Sequence, residues 1–128
     1  MAVKHGAATV FNGRQHREAT VAAAISEAIL ALNRTYYGRE PAQVKTFIDG
    51  HFVCCVLEEP FTSFEKVLLS DVDNRMSVRE IWQSYQDAMA DRFKQVIAEI
   101  TDCDVVAFLS QAHADPDLVV LLFQLAAD

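Results

Sequence analysis

The chain lacks most of the patterns that announce the chemistry of a small protein. Only four of its 128 residues are glycine, and none stands in a G-x-G-x-x-G or G-x-x-x-x-G-K array, so the usual phosphate-cradling loops are absent. No G-x-S-x-G nucleophile elbow occurs. Three cysteines, an odd number with Cys54 and Cys55 adjacent, do not make a disulfide framework and point to a reducing compartment, so a cytoplasmic location is expected. Met1 to Val10 contains no continuous apolar stretch of the secretory type, and no run approaches the roughly 18 apolar residues of a transmembrane segment. Basic charge is also scarce: 11 Lys and Arg against 18 Asp and Glu give a net charge of −7. That balance argues against nucleic acid as a partner, because affinity for a polyanion comes mainly from cations that neutralise phosphates.

Apolar residues, by contrast, are plentiful. At 52% hydrophobic and 23% charged, the chain sits at the apolar edge of globular usage. One domain of this length buries roughly two-thirds of its unfolded surface, so apolar surface is left over for a partner. A homo-oligomer is expected, with a dimer favoured. Charge is uneven: residues 1–17 hold Lys4, Arg14 and Arg17 and no acid. Residues 1–16 therefore read as a flexible, solvated arm ahead of a single domain over 17–128.

Periodicity sets the order of elements. Val21, Ile25, Ala28, Ile29, Leu32 and Tyr36 recur at steps of three and four, predicting a helix from Arg17 to Tyr37 that ends at Gly38 with Pro41 just beyond. Val44–Ile48 and His51–Leu57 are β-branched and aromatic around Asp49-Gly50, a strong hairpin signal. With those two residues as the turn, Ile48 faces His51 and Val44 faces Cys55. Val44, Thr46, Ile48, His51, Val53, Cys55 and Leu57 then share one face, and Lys45, Phe47, Phe52, Cys54 and Val56 the other. Both faces are largely apolar, so both are expected to be covered, one by helices and the other by a helix or a second subunit.

Pro60 stops the second strand, and Thr62 with Glu65 three residues on reads as a capping box opening a short helix. Ser70–Met76 reads as a polar loop. Ser77 with Glu80 repeats the cap and opens a long helix with an apolar stripe of Val78, Ile81, Trp82, Tyr85, Met89, Phe93, Val96 and Ile100. Val105–Ser110 and Leu118–Leu125 read as strands around a polar loop, the last apolar enough for burial on both faces. The fold expected is α+β: a four-stranded, mostly antiparallel sheet of two β-hairpins with a long N-terminal helix, a short helix and a long central helix packed on it.

Candidate chemistry is thin. Cys54 and Cys55 point to opposite faces of a strand and cannot easily share a zinc ion, so both read as small buried hydrophobes. His51 and Cys55, four residues apart on one strand, lie about 13 Å apart and make no dyad. His113, Asp115 and Asp117 concentrate an imidazole and two carboxylates in one loop, a weak candidate for a hard cation that also reads as an ordinary Asp-Pro turn. Arg39, His51 and the helix start Thr62, Glu65 and Lys66 are the weak candidates for an interface or an anion pocket. Cys103 is a candidate reactive thiol. No cofactor and no catalytic set is expected.

These residues, taken in order, resemble the MpsC-like domain family, named for a component of a sodium-translocating, membrane-potential-generating system. The resemblance runs from Arg17 to Leu125. It rests on Tyr37-Gly38-Arg39-Glu40-Pro41, on Val44-Lys45-Thr46-Phe47-Ile48, on Val56-Leu57-Glu58, on Phe61-Thr62-Ser63-Phe64-Glu65-Lys66-Val67-Leu68, and on Val105–Ser110 followed by Asp115-Pro116-Asp117. Glu40 stands where the family tends to have glycine, and Ser63 where it tends to have proline. The resemblance implies a small cytosolic protein associated with membrane systems that generate potential or support inorganic-carbon uptake, and it brings no catalytic residues with it. The expectation is a non-enzymatic accessory or regulatory domain, with a membrane transport protein as partner. A small-ligand domain or enzyme of unknown reaction is the alternative.

Overall fold

The structure, a computed structural model, describes residues 5–38 and 41–127, with side chains described outside 5–16 and 72–77. Seven elements follow one another: α1 (His5–Tyr37), β1 (Gln43–Asp49), β2 (Phe52–Glu58), α2 (Ser63–Ser70), α3 (Val72–Thr101), β3 (Val105–His113) and β4 (Leu118–Leu125). The expected α+β architecture is present, and the strands pair antiparallel throughout in the order β1-β2-β4-β3. Each hairpin contributes one central and one edge strand.

Helix α1 begins ahead of the predicted Arg17 and ends as predicted, at Gly38, whose positive φ of 83° suits a residue without Cβ. The Gly38 N–H donates to Asn33 O at 3.1 Å and satisfies one of the carbonyls that a helix end leaves open. Residues 1–4 of the expected arm, and Arg39 with Glu40, lie outside the described residues.

The first hairpin differs from expectation in register. Asp49 pairs with Phe52 and Ile48 with Val53, so the two turn residues are Gly50 and His51, not Asp49 and Gly50. Gly50 has φ +60° and His51 does not share the left-handed region. A glycine at the first central position belongs to the II′ turn, whereas the Asp-Gly reading had placed it second, as in I′. The slip moves each partner by two residues, so every side chain keeps the face predicted for it.

That parity decides the core. Val44, Val53, Cys55, Leu57, Ala112, Val119, Leu121 and Phe123 lie on one face and are buried beneath the helices, together with Ile25, Ile29, Phe61, Trp82, Met89, Phe93 and Ile97. Among the described residues, the other face carries no helix. The helices cover one side as expected; within one chain no described helix supplies the second cover, and β2 and β4 are buried on one side and half-buried on the other.

Two further differences concern α3. The predicted loop Ser70–Met76 is largely helical, because α2 and α3 are separated by Asp71 alone, whose extended backbone (φ −98°, ψ 118°) breaks the run. Polarity does not separate a loop from the solvated first turn of a helix. Ser77 falls inside α3 and its side chain outside the described set. Along the stripe, Val78, Trp82, Met89 and Phe93 are buried as predicted, but Ile81 is exposed, while Gln86 and Ile97 are buried instead. A β-bulge between Val105 and Ala107 leaves Val106 unpaired and exposed on the free edge of β3.

Candidate functional site

The predicted capping box forms. Thr62 Oγ1 accepts from the Glu65 N–H at 3.1 Å, and Glu65 Oε1 accepts from the Thr62 N–H at 2.8 Å. What local sequence does not reveal is the other carboxyl oxygen. Glu65 Oε2 accepts from Trp82 Nε1 of α3 at 3.1 Å and from the Tyr37 hydroxyl of α1. One buried side chain thus ties all three helices together, inside a cluster of Tyr37, Phe61, Trp82 and Tyr85 rings whose neighbouring centroids lie 4.5–5.5 Å apart. Three of the roughly four acceptor sites of a carboxylate are taken by the chain's own donors, which makes Glu65 a clamp. Next to it, the Tyr85 hydroxyl donates to Asn33 Oδ1 at 3.1 Å, and burial pushes the Tyr85 pKa up to about 12.

The predicted anion pocket is not assembled. His51 is exposed in the β1–β2 turn, while Thr62, Glu65 and Lys66 lie beyond the opposite end of β2, roughly 20 Å away at about 3.3 Å per residue. Arg39 falls outside the described residues. The start of α2 is already occupied: besides the capping box, Phe61 N–H donates to Asp117 Oδ2 at 3.4 Å. Lys66 Nζ is 4.0 Å from Asp117 and 3.9 Å from Glu59.

The loop after β3 is tied down in the same way. His113 Nδ1 lies 2.8 Å from Pro116 O, Asp117 O accepts from the Glu59 N–H at 3.1 Å, and the Asp115–Pro116 bond is cis. His113, Asp115 and Asp117 do not converge. Among the described residues no group of three or more His, Cys, Asp or Glu side chains is placed to hold a metal ion. The adjacent thiols separate as predicted: Cys55 is fully buried, accepts from Thr46 Oγ1 at 3.6 Å and is pushed up to about 12 by burial, while Cys54 is half-buried on the opposite face. Cys103 lines an apolar cavity of about 280 Å³ with Val21, Ile48, Ile100 and Leu125, with Arg17 also in its wall.

The most distinctive surface is the uncovered sheet face. Register places Phe47, Cys54, Leu122 and Leu109 in one row across all four strands. On one side of it runs Lys45, Val56, Val120 and Gln111, and on the other Asp49, Phe52, Gln124 and Ala107. Phe47 is 58% exposed, Phe52 46% and Leu109 65%. Lys45 lies 3.7 Å from Glu58 at the margin. An apolar centre with a thin charged border is the anatomy of a protein interface. Sequence reasoning identified Phe47, Phe52, Cys54 and Val56 through period-two alternation. It missed Leu109, because β3 carries no comparable alternation beside its bulge.

A family model described as Na+-translocating membrane potential-generating system (MpsC) matches residues 17–127. No curated protein and no solved structure matches the chain.

Proposed function

The chain belongs to the MpsC family, and on that premise we propose that it is a non-enzymatic accessory or regulatory domain that works by docking, as a homo-oligomer, beside a membrane ion or inorganic-carbon transport system. The observation that carries this reading is the uncovered apolar sheet face, since exposed contiguous apolar surface of this kind marks interaction sites. The commitment of Glu65 to the helix clamp, and of Asp117 to α2, supports binding over catalysis. Membrane association runs through a partner protein in this reading. No described helix is long and apolar enough to cross a membrane, and a net charge of −7 disfavours direct adhesion to anionic lipid.

The test is the sodium-dependent membrane potential of cells, followed with a potential-sensitive dye. Removing the gene lowers the potential, and restoration follows from the wild type, from His51→Ala and from Lys66→Ala, but not from Leu109→Asp. An unchanged potential on removal, or failure of the two polar variants to restore it, overturns the reading. The cavity walled by Arg17 and Cys103 favours a second reading, a small-ligand domain. Thermal-shift measurements against nucleotides, bicarbonate and acidic metabolites decide it, and a flat response removes it.

A further inference from the structure

We propose that the uncovered sheet face is the interface of a two-fold homodimer, and that the symmetry axis runs across the strands, over the row Phe47, Cys54, Leu122 and Leu109. The proposal rests on reading that face as a docking surface and goes further by naming its occupant, a second copy of this chain.

Area is the first argument. Four strands about 4.8 Å apart, seven to nine residues long at about 3.3 Å per residue, give a footprint of roughly 500 Å². Two such faces together remove roughly 1,000 Å² before side-chain relief is added, which reaches the lower bound for a specific interface. At 58% and 46% exposure, Phe47 and Phe52 alone leave roughly 200 Å² of ring surface for the partner to cover. Face-to-face sheets about 10 Å apart and nearly aligned are an established way for such surfaces to pack.

Charge fixes the occupant and the axis. The chain carries −7, yet the charged side chains of this face amount to Lys45, Asp49 and Glu58 among the strand residues, with Lys45 already beside Glu58. A second copy brings an equally charge-poor surface. Lys45 and Asp49 stand two residues to either side of Phe47 on β1. A two-fold axis over the Phe47 row inverts the strand direction and sets Lys45 of each copy against Asp49 of the other. The same operation places Phe47 opposite Phe47, Cys54 opposite Cys54, and Val56 opposite Phe52. An isologous contact demands this reciprocity, and the face supplies it.

The experiment is sedimentation velocity on the full chain from 1 to 100 µM, concentrations on the order of those at which specific dimers form. The wild type sediments as a dimer, Leu109→Asp as a folded monomer by circular dichroism, and Lys45→Asp and Asp49→Lys each weaken association by about tenfold or more. The double exchange Lys45→Asp with Asp49→Lys restores it. A short bis-maleimide joins wild-type chains through Cys54 and not through Cys54→Ser. A wild type that is monomeric throughout, a dimer indifferent to Leu109→Asp, or a double exchange that fails to restore association overturns the proposal. So does a monomer that binds neutral or anionic lipid vesicles through this face, or one that dimerises only with a transport protein bound. The last outcome leaves the docking function standing, whereas the membrane-potential test bears on the function without reference to the second copy. Because Lys45 and Asp49 are exposed border residues, their exchange reports on the axis even if the Leu109 variant does not fold.

Discussion

The two faces of the sheet are built from neighbouring residues of the same strands and have opposite fates. Val53, Cys55 and Leu57 are sealed under three helices, while Phe52, Cys54 and Val56, one step along the chain, have no helix above them. β4 repeats the contrast between Leu121 and Leu122. Side-chain chemistry barely differs between the faces. What distinguishes them is where the helices attach, and with them Glu65, Asn33 and the aromatic cluster. An apolar strand residue therefore reports that something covers it, without saying whether that cover belongs to the same chain.

The largest effect expected from testing this contrast lies on the inner face. Phe123→Ala removes a fully buried ring and should cost about 3–5 kcal/mol in urea unfolding, whereas Leu109→Ala on the outer face should stay within about 0.5 kcal/mol at concentrations where the chain is monomeric. Equal costs would mean that the two faces are not energetically distinct. A smaller effect of opposite sign is expected at Gln86, which is 1% exposed and whose amide nitrogen and oxygen both lack a hydrogen-bond partner. Gln86→Met, of similar shape, should raise stability by about 1–3 kcal/mol, read as a higher denaturation midpoint. Destabilisation would show that the amide has a partner.

A pH-dependent effect uses the thiols as reporters of the two faces. Folded Cys55 keeps its proton to about pH 12, while the unfolded thiol releases it from about 9. The unfolded state binds fewer protons in that window, so stability is intact below pH 9 and falls as the pH rises toward 12. Tyr85, raised by burial from 10 to about 12, acts in the same direction. Urea midpoints from pH 8 to 11 should show the fall, with a shallower slope in Cys55→Ala. At concentrations where the chain is monomeric, iodoacetamide should label Cys54 in the native protein and reach Cys55 only after unfolding.

How much of this was legible in the sequence depended on the range of the interaction concerned. Period-two alternation gave the faces of β1 and β2 correctly, and the Thr62–Glu65 cap was readable because both partners lie within one helical turn. The turn position was not, since Gly50 satisfies either of two hairpin turns and Asp49 biased the choice. Nor was the reach of Glu65 to Trp82, 17 residues away, and to Tyr37, 28 away, which only the packing of three helices creates. The burial of Gln86 ran against its polarity, although its place four residues after Trp82 and three before Met89 puts it on the buried stripe. The pocket expected from His51 and Thr62 does not form because β2 runs extended between them and carries them to opposite ends of the strand.

A sheet with one bare face also has two bare edges, and its edges decide whether association stops. The free edge of β3 is interrupted where Val106 bulges out between Val105 and Ala107, and the free edge of β1 carries Lys45. Bulges and lysines on edge strands block the pairing through which sheets extend from molecule to molecule. The same protein that offers an apolar surface to a neighbour therefore limits endless growth, so its assembly can close at a small number of chains instead of running on into a fibre.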